Sequence, residues 1–325
     1  MKKFLYIVKL TFFFIALSPP AVLANESQSR FFYSGNGKMS IRSAHTGVSF
    51  NGVYRNADGT YRENAIRQIN KTFGADNNSP QETISIRFIE FLNYLKDKFT
   101  GKTITIVSGY RSPAHNTSLR ENGALAGKAS LHQYGMAADI QMAGVSSQKL
   151  WEYVRELGFG GAGYYHGKNV HLDVGPARWW DEKTSKVGTD IADDNKVIML
   201  TTDRDIYLHG ETIILNFARM TAWPIGVESE FRLEKVESTD HPLPHPPPSR
   251  GRVRSIFPSP LVGAGQGEGC RIYNDIPSMQ NFKLQIPQDQ PAGRYRILAT
   301  FCDKKWEAMP DEITTNEFII HHRDT

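Results

Sequence analysis

The texture of the chain changes near Asp190, and that change argues against one uniform architecture for its 325 residues. Beyond it, short runs rich in β-branched and aromatic residues follow one another between turn-formers: Lys196–Thr201, Asp205–Leu208, Thr212–Ala218, Ser229–Val236, Asn281–Ile286, Gly293–Thr300 and Thr315–Ile320. Several alternate apolar with polar, the pattern of a strand that buries one face. Such a series predicts an all-β, immunoglobulin-like sandwich over 195–325. It holds no His, Asp and Glu cluster resembling a reactive site, so a supporting module or a binding surface are its two readings. Its Cys270 and Cys302 are the only cysteines. They lack His or Cys neighbours at zinc-site spacing, and the sequence leaves paired and free states open.

One stretch does not fit a sandwich. Residues 239–269 hold Pro242, Pro244, Pro246, Pro247, Pro248, Pro258 and Pro260 and then a glycine-rich tail, with almost no helix or strand pattern. That composition cannot bury a core and predicts a disordered insertion between two strands. Loop length costs stability only logarithmically, so the fold tolerates it. A proline-rich docking arm is the functional alternative.

Ahead of Asp190, helices and short strands alternate. Ser79-Pro80-Gln81-Glu82 predicts a helix start, with a serine cap, proline in the first turn and glutamate completing a capping box. Ile84, Phe88, Phe91, Leu92 and Leu95 follow at helical spacing as a core face. Thr103–Val107 predicts a buried strand that delivers Ser108-Gly109-Tyr110-Arg111-Ser112-Pro113 at its end. Ser146-Ser147 opens a helix that Gly158 closes. Tyr164-Tyr165 and Asn169–Val174 are further strand candidates.

The first residues read as a leader. Met1-Lys2-Lys3 is basic, Leu10–Leu17 is apolar, and Val22-Leu23-Ala24 offers small residues for cleavage, which predicts a signal peptide over 1–24 and export. Lys9 and Pro19-Pro20 make the apolar run too short for a membrane span. The full chain carries 38 Lys and Arg against 34 Asp and Glu. Loss of Lys2, Lys3 and Lys9 with the leader leaves 35 against 34. Such a near-neutral protein gives no ground for nucleic-acid binding.

The chemistry concentrates in two strings. Ser130-Leu131-His132-Gln133-Tyr134-Gly135-Met136-Ala137-Ala138-Asp139 is followed by Val170-His171-Leu172-Asp173. Two imidazoles and a carboxylate make a three-ligand zinc set, and three protein ligands leave one position open, as catalytic zinc requires. A turn at Gly135 can fold His132 back toward Asp139. His171 and Asp173 share a strand face, so one can hold metal while the other orients it or takes part in the reaction.

SGYRSPAHN, SLHQYGMAADI, GGAGYY and VHLDVGPARWW, in this order between about Phe31 and Trp180, resemble the zinc D-alanyl-D-alanine carboxypeptidases and murein endopeptidases of the Hedgehog-like metallopeptidase fold, above all the exported branch that acts on peptidoglycan cross-links. The resemblance implies an α+β zinc peptidase domain over 25–190, one zinc ion on His132, Asp139 and His171, and a peptidoglycan substrate in the periplasm. It also implies that Arg111 engages a substrate carboxylate or a developing oxyanion; a loop-stabilising ion pair is the plainer role. Much of the family carries a His or Glu two or three residues before the last zinc histidine, where this chain has Asn169 and Lys168. Asp173 and His166 are the remaining candidates for the general base. Tyr164 and Tyr165 either line a groove or pack on the sheet, and His115 reads as a surface residue. The missing base also leaves open a non-catalytic, zinc-containing wall-binding module.

Overall fold

The structure is a computed structural model that describes residues 29–76, 82–123, 126–127, 130–185, 198–219, 224–236, 254–257, 269–305 and 309–322. The expected leader, the Ser79-Pro80-Gln81 helix start and most of the 239–269 segment lie outside these residues. Among the described residues no helix is long and apolar enough to cross a membrane.

The N-terminal part contains β1 (Lys38–Ser43), β2 (Ser49–Val53), α1 (Glu63–Thr72), α2 (Ile86–Lys98), β3 (Ile104–Ser108), α3 (Pro113–Glu121), a 3-10 turn (Leu131–Tyr134), β4 (Ala137–Met142), α4 (Ser147–Leu157), β5 (Gly161–Tyr164), β6 (Val170–Asp173) and β7 (Arg178–Asp181). The seven strands form one mixed sheet in the order β2-β1-β3-β4-β6-β5-β7. Period-two alternation divides its faces. Ile104, Ile106, Ala138, Ile140, Ala162, Val170 and Leu172 join the core cluster with Phe88, Phe91, Leu92 and Leu95 of α2 and Leu150 and Val154 of α4. The residues between them, including Asp139 and His171, point to the other face.

The helix expected from Ser79 begins later, at Ile86 with Ser85 as its N-cap residue. Tertiary hydrogen bonds set that start: the Ile84 N–H donates to Asn70 Oδ1 at 3.1 Å, and the Ser85 N–H to the Gly135 carbonyl at 2.9 Å. These bonds hold the chain extended and tie the head of α2 to the turn that carries His132. The core face is as the spacing predicts, since Ile84, Phe88, Phe91, Leu92 and Leu95 are all buried. Residues on the other sides of α2 are buried too, and each polar one is paired: Glu90 with Arg55, Arg87 with Asp205, and Asn93 with Gly37, Tyr54 and Lys38. The helix from Ser146-Ser147 is α4, capped by the Ser146 side chain and ended by Gly158 in the left-handed region.

The C-terminal part holds β8 (Ile198–Thr202), β9 (Ile206–Leu208), β10 (Thr212–Arg219), β11 (Ile225–Lys235), β12 (Arg254–Phe257), β13 (Arg271–Tyr273), a 3-10 turn (Pro277–Met279), β14 (Phe282–Gln285), β15 (Gly293–Asp303), β16 (Glu312–Thr314) and β17 (Phe318–His321). All seven runs read from the sequence appear as strands. They build a three-stranded sheet, β14-β10-β8, and a seven-stranded sheet, β12-β11-β15-β17-β9, with β13 and β16 on its flanks. Both sheets contribute to one second hydrophobic cluster, from Leu200, Leu215 and Phe217 on one to Phe231, Ile297 and Phe318 on the other. Cys270 and Cys302 form a disulfide. Part of the segment expected to be without strands is corrected: β12 lies inside it and pairs antiparallel with β11 from Phe231↔Phe257 to Glu234↔Arg254. Arg254-Ser255-Ile256-Phe257 lies in the longest stretch there free of proline and glycine, residues 252–257, so it can join a ladder.

The two parts touch through packed and charged contacts. Tyr134 packs against both clusters, while Ala218 and Met199 of the C-terminal part join the first. Arg87 reaches from α2 to Asp205 and donates to the Thr202 carbonyl at 2.9 Å, and Arg30 pairs with Glu211 at 3.1 Å.

Candidate metal centre

His132 sits in the 3-10 turn after β3 and α3. The Ser130 hydroxyl accepts from the His132 N–H at 3.4 Å, which starts the turn, and Gly135 ends it at a φ of 62°, a left-handed conformation that glycine adopts without strain. The chain then enters β4, where Asp139 faces His171 directly across the β4–β6 ladder. Turn and cross-strand pair together bring three side chains to one point. His132 Nε2 and His171 Nδ1 lie 3.3 Å apart, His171 Nδ1 is 3.1 Å from Asp139 Oδ1, and His132 Nε2 is 3.9 Å from Asp139 Oδ2. One ligand atom from each falls within 4.8 Å of the others, and among the described residues this is the only such trio of His, Cys, Asp or Glu.

The donor set fits a divalent cation because the far nitrogens are already engaged. His132 Nδ1–H donates to the Gly109 carbonyl at 2.7 Å, and His171 Nε2–H donates to Asp173 Oδ2 at 2.9 Å. Each ring therefore presents its other nitrogen to the shared point. Burial pushes the His132 imidazole down to about 3, so it stays neutral and keeps its lone pair. Burial works against ionisation of Asp139, but the His171 hydrogen bond, both imidazoles and Arg111 hold its carboxyl below the usual range. Burial also disfavours a charged His171, and its bonds to Asp139 and Asp173 outweigh that and raise it.

Arg111 and Tyr165 stand at the rim of this cluster. Arg111 Nη2 donates to Asp139 Oδ2 at 3.2 Å, and Nε and Nη2 reach the Ser108 hydroxyl at 3.0 and 2.7 Å. The Arg111 N–H donates to the His132 carbonyl at 3.2 Å, which fixes the SGYRS loop on the turn that carries His132. Tyr165 OH donates to Asp139 Oδ1 at 3.0 Å, and burial pushes its phenol above the ordinary tyrosine value. Of the two tyrosines left open by the sequence, Tyr165 faces the cluster and Tyr164 stacks on Trp151 with ring centroids 5.5 Å apart.

Both base candidates make their hydrogen bonds away from the point where the three ligand atoms meet. Asp173 is 0% exposed and lies behind His171, on the ring nitrogen opposite the trio. Arg178 clasps it through Nη1 at 2.9 Å and Nη2 at 2.6 Å, and Gly161 and Gly175 N–H groups bond to it at 3.0 and 2.8 Å. Burial opposes its ionisation, and the charge of Arg178 with the hydrogen bonds from His171 and Arg178 holds its carboxyl below the usual range. His166, at a φ of 54°, bonds through Nε2 to Asp181 Oδ1 at 2.7 Å and packs on Tyr164; it makes no contact with the trio. Asn169 shares the His171 face and accepts from Gln141 Nε2 at 2.7 Å. His115 is exposed on α3, where its N–H meets the Ser112 cap.

Ser108, Gly161, Gly163, Arg178 and Trp180 stand within the motif strings, but the strings alone do not assign them a place at the centre. A signal was present in GGAG and RWW. Gly161 and Gly163 of β5 pair with Arg178 and Trp180 of β7, and any side chain on them would fill the space those residues use. A Cβ on Gly161 would lie 2.2 Å from Asp173 Oδ2, and one on Gly163 would lie 2.4 Å from Trp180 Cε2. Through the gap at Gly163 the Trp180 indole reaches the His171 ring, centroid to centroid 4.8 Å.

Known proteins match this part of the chain. The family described as Peptidoglycan L,D-endopeptidase MepK matches residues 34–180. Peptidoglycan L,D-endopeptidase MepK of Escherichia coli K12 is 29% identical over 144 residues, 44% of this chain and 79% of the relative. The probable peptidoglycan L,D-endopeptidase MepK of Haemophilus influenzae is 38% identical over 78 residues, 24% of this chain and 42% of that one. Among solved structures, the sporulation control protein Spo0M of Bacillus subtilis aligns at a TM-score of 0.19 and 10% identity over 39% of this chain and 49% of its own, too weak a likeness to argue from. Residues 34–180, which contain the complete trio and its partners, match the murein endopeptidase family of the zinc peptidase class.

Proposed function

We propose that the protein is a zinc-dependent endopeptidase that hydrolyses peptide bonds in peptidoglycan, with one zinc ion held by His132 Nε2, Asp139 and His171 Nδ1. The observation that carries this reading is the convergence of those atoms within 4.8 Å, each imidazole with its far nitrogen already bonded. When bound, zinc supplies a Lewis acid for the scissile carbonyl and for a water. The chain's own residues do the rest. Arg111, always charged and forked, binds a substrate carboxylate or the oxygen that gains charge in the transition state. Tyr165 offers a second donor on the same side. Asp173 orients His171, because all of its hydrogen-bonding capacity is directed away from the open side. The names of the relatives point to a bond between an L- and a D-configured centre, and cleavage of such cross-links fits an exported, periplasmic protein.

The two hydrophobic clusters support a division into a peptidase domain over 25–190 and a second domain over 195–325. Two sheets closing on one core support an immunoglobulin-like sandwich for the second. The test is digestion of purified sacculi by the mature protein, in zinc and in chelator, with mass spectrometry of the released muropeptides. Chelator-sensitive products whose masses place the cut at an L,D bond are expected. A folded, zinc-loaded protein that releases nothing would overturn the reading in favour of a wall-binding module.

A further inference from the structure

We infer that Arg178 is a positioning residue for the metal centre: with Asp173 it forms a clamp that holds His171 with Nδ1 turned toward His132 and Asp139. The inference rests on the zinc reading above and adds the residue that fixes the third ligand. Asp173 accepts five hydrogen bonds, from Gly161, Gly175, His171 Nε2 and both terminal nitrogens of Arg178. An ionised carboxylate has about four lone-pair sites, so this one is saturated and cannot turn. A carboxylate that cannot turn gives the imidazole a single favourable tautomer and plane, with the proton on Nε2 and the lone pair on Nδ1.

Arg178 is suited to this in a way lysine is not, because its planar fork meets both carboxylate oxygens at once. It arrives from β7 opposite Gly161, and its guanidinium lies over the Trp180 ring, 5.2 Å from the centroid. Trp180 packs on the His171 ring, so the imidazole that Asp173 holds is also backed by the indole that Arg178 covers. Arg178 bonds to Asp173 and Pro176 and not to the trio, so it acts on the centre only through Asp173.

The test uses the full-length mature protein and two variants, Arg178→Met and Arg178→Lys. Zinc affinity is measured by competition with a chromophoric chelator, and the His171 tautomer by long-range ¹H–¹⁵N correlation in the chelator-treated protein. Arg178→Met is expected to bind zinc about 10–100-fold more weakly and to lose the single Nε2–H tautomer at His171. Its kcat falls with KM little changed. Arg178→Lys, which restores charge without the fork, falls between wild type and Arg178→Met. If Arg178→Met does not fold by circular dichroism, Arg178→Lys decides. Wild-type zinc affinity and an unchanged His171 spectrum in a folded variant would overturn the inference and leave the zinc reading standing. A wild-type protein that binds no zinc would overturn both.

Discussion

At the scale of residues, the centre depends on which nitrogen of each histidine faces inward, and the neighbours decide that. His132→Ala or His171→Ala should remove zinc and activity together, with zinc affinity falling by more than the roughly 10–100-fold seen when an outer partner is lost; metal analysis and muropeptide release on the same preparation check it. Arg111→Ala should keep its zinc and cleave about 10²–10³-fold more slowly, the cost of losing a charge-stabilising donor. Gly163→Ala tests the space under Trp180: a methyl there overlaps the indole, so a loss of about 1–3 kcal/mol in stability is expected from denaturant unfolding. The trio was legible as two strings because its ligands are close in sequence or on a short strand. The clamp was not. Asp173 reads as a base from its shared face with His171, and only the β5–β7 pairing, Gly161 opposite Arg178, shows where its oxygens are committed.

At the scale of elements, α2 shows how far local signals reach. Its core stripe followed from spacing alone, since burial of Phe88, Phe91, Leu92 and Leu95 needs only a helix and a sheet to cover. Its start did not, because Ile84 and Ser85 are held by Asn70 and Gly135, partners that sequence order does not bring near. Helix α1 and the β1–β2 hairpin likewise went unread, and the connection between them supplies Arg55, the buried partner of Glu90. Both side chains of that pair are fully buried. Glu90→Ala would strand a guanidinium in the core, and about 3–5 kcal/mol of stability should be lost. The urea midpoint would fall accordingly, and a change within error of zero would show that Arg55 finds another partner. The strands of the C-terminal part were legible for the opposite reason: alternation within a few residues is a local property, and turn-formers separate each run from the next.

At the scale of the whole molecule, the two cores are joined by contacts that no local pattern announces. Arg87 is 6% exposed and Asp205 is 3% exposed, and they pair across the two parts while Tyr134, two residues from His132, packs on both clusters. Zinc bound at the trio should therefore be felt beyond the domain that holds it. A ligand at about 100 times its dissociation constant adds roughly 2.7 kcal/mol to the state it binds. In the wild type, a single unfolding transition should move up with added zinc, by calorimetry or by paired probes in the two parts. Asp205→Ala leaves Arg87 buried without its carboxylate, which costs about 3–5 kcal/mol where such pairs are broken. That loss falls on the junction, so two transitions should separate, and zinc should raise only the one belonging to residues 34–180. A variant whose two parts still unfold together and rise together with zinc would show that Tyr134, Met199 and Arg30 join the cores without the Arg87–Asp205 pair.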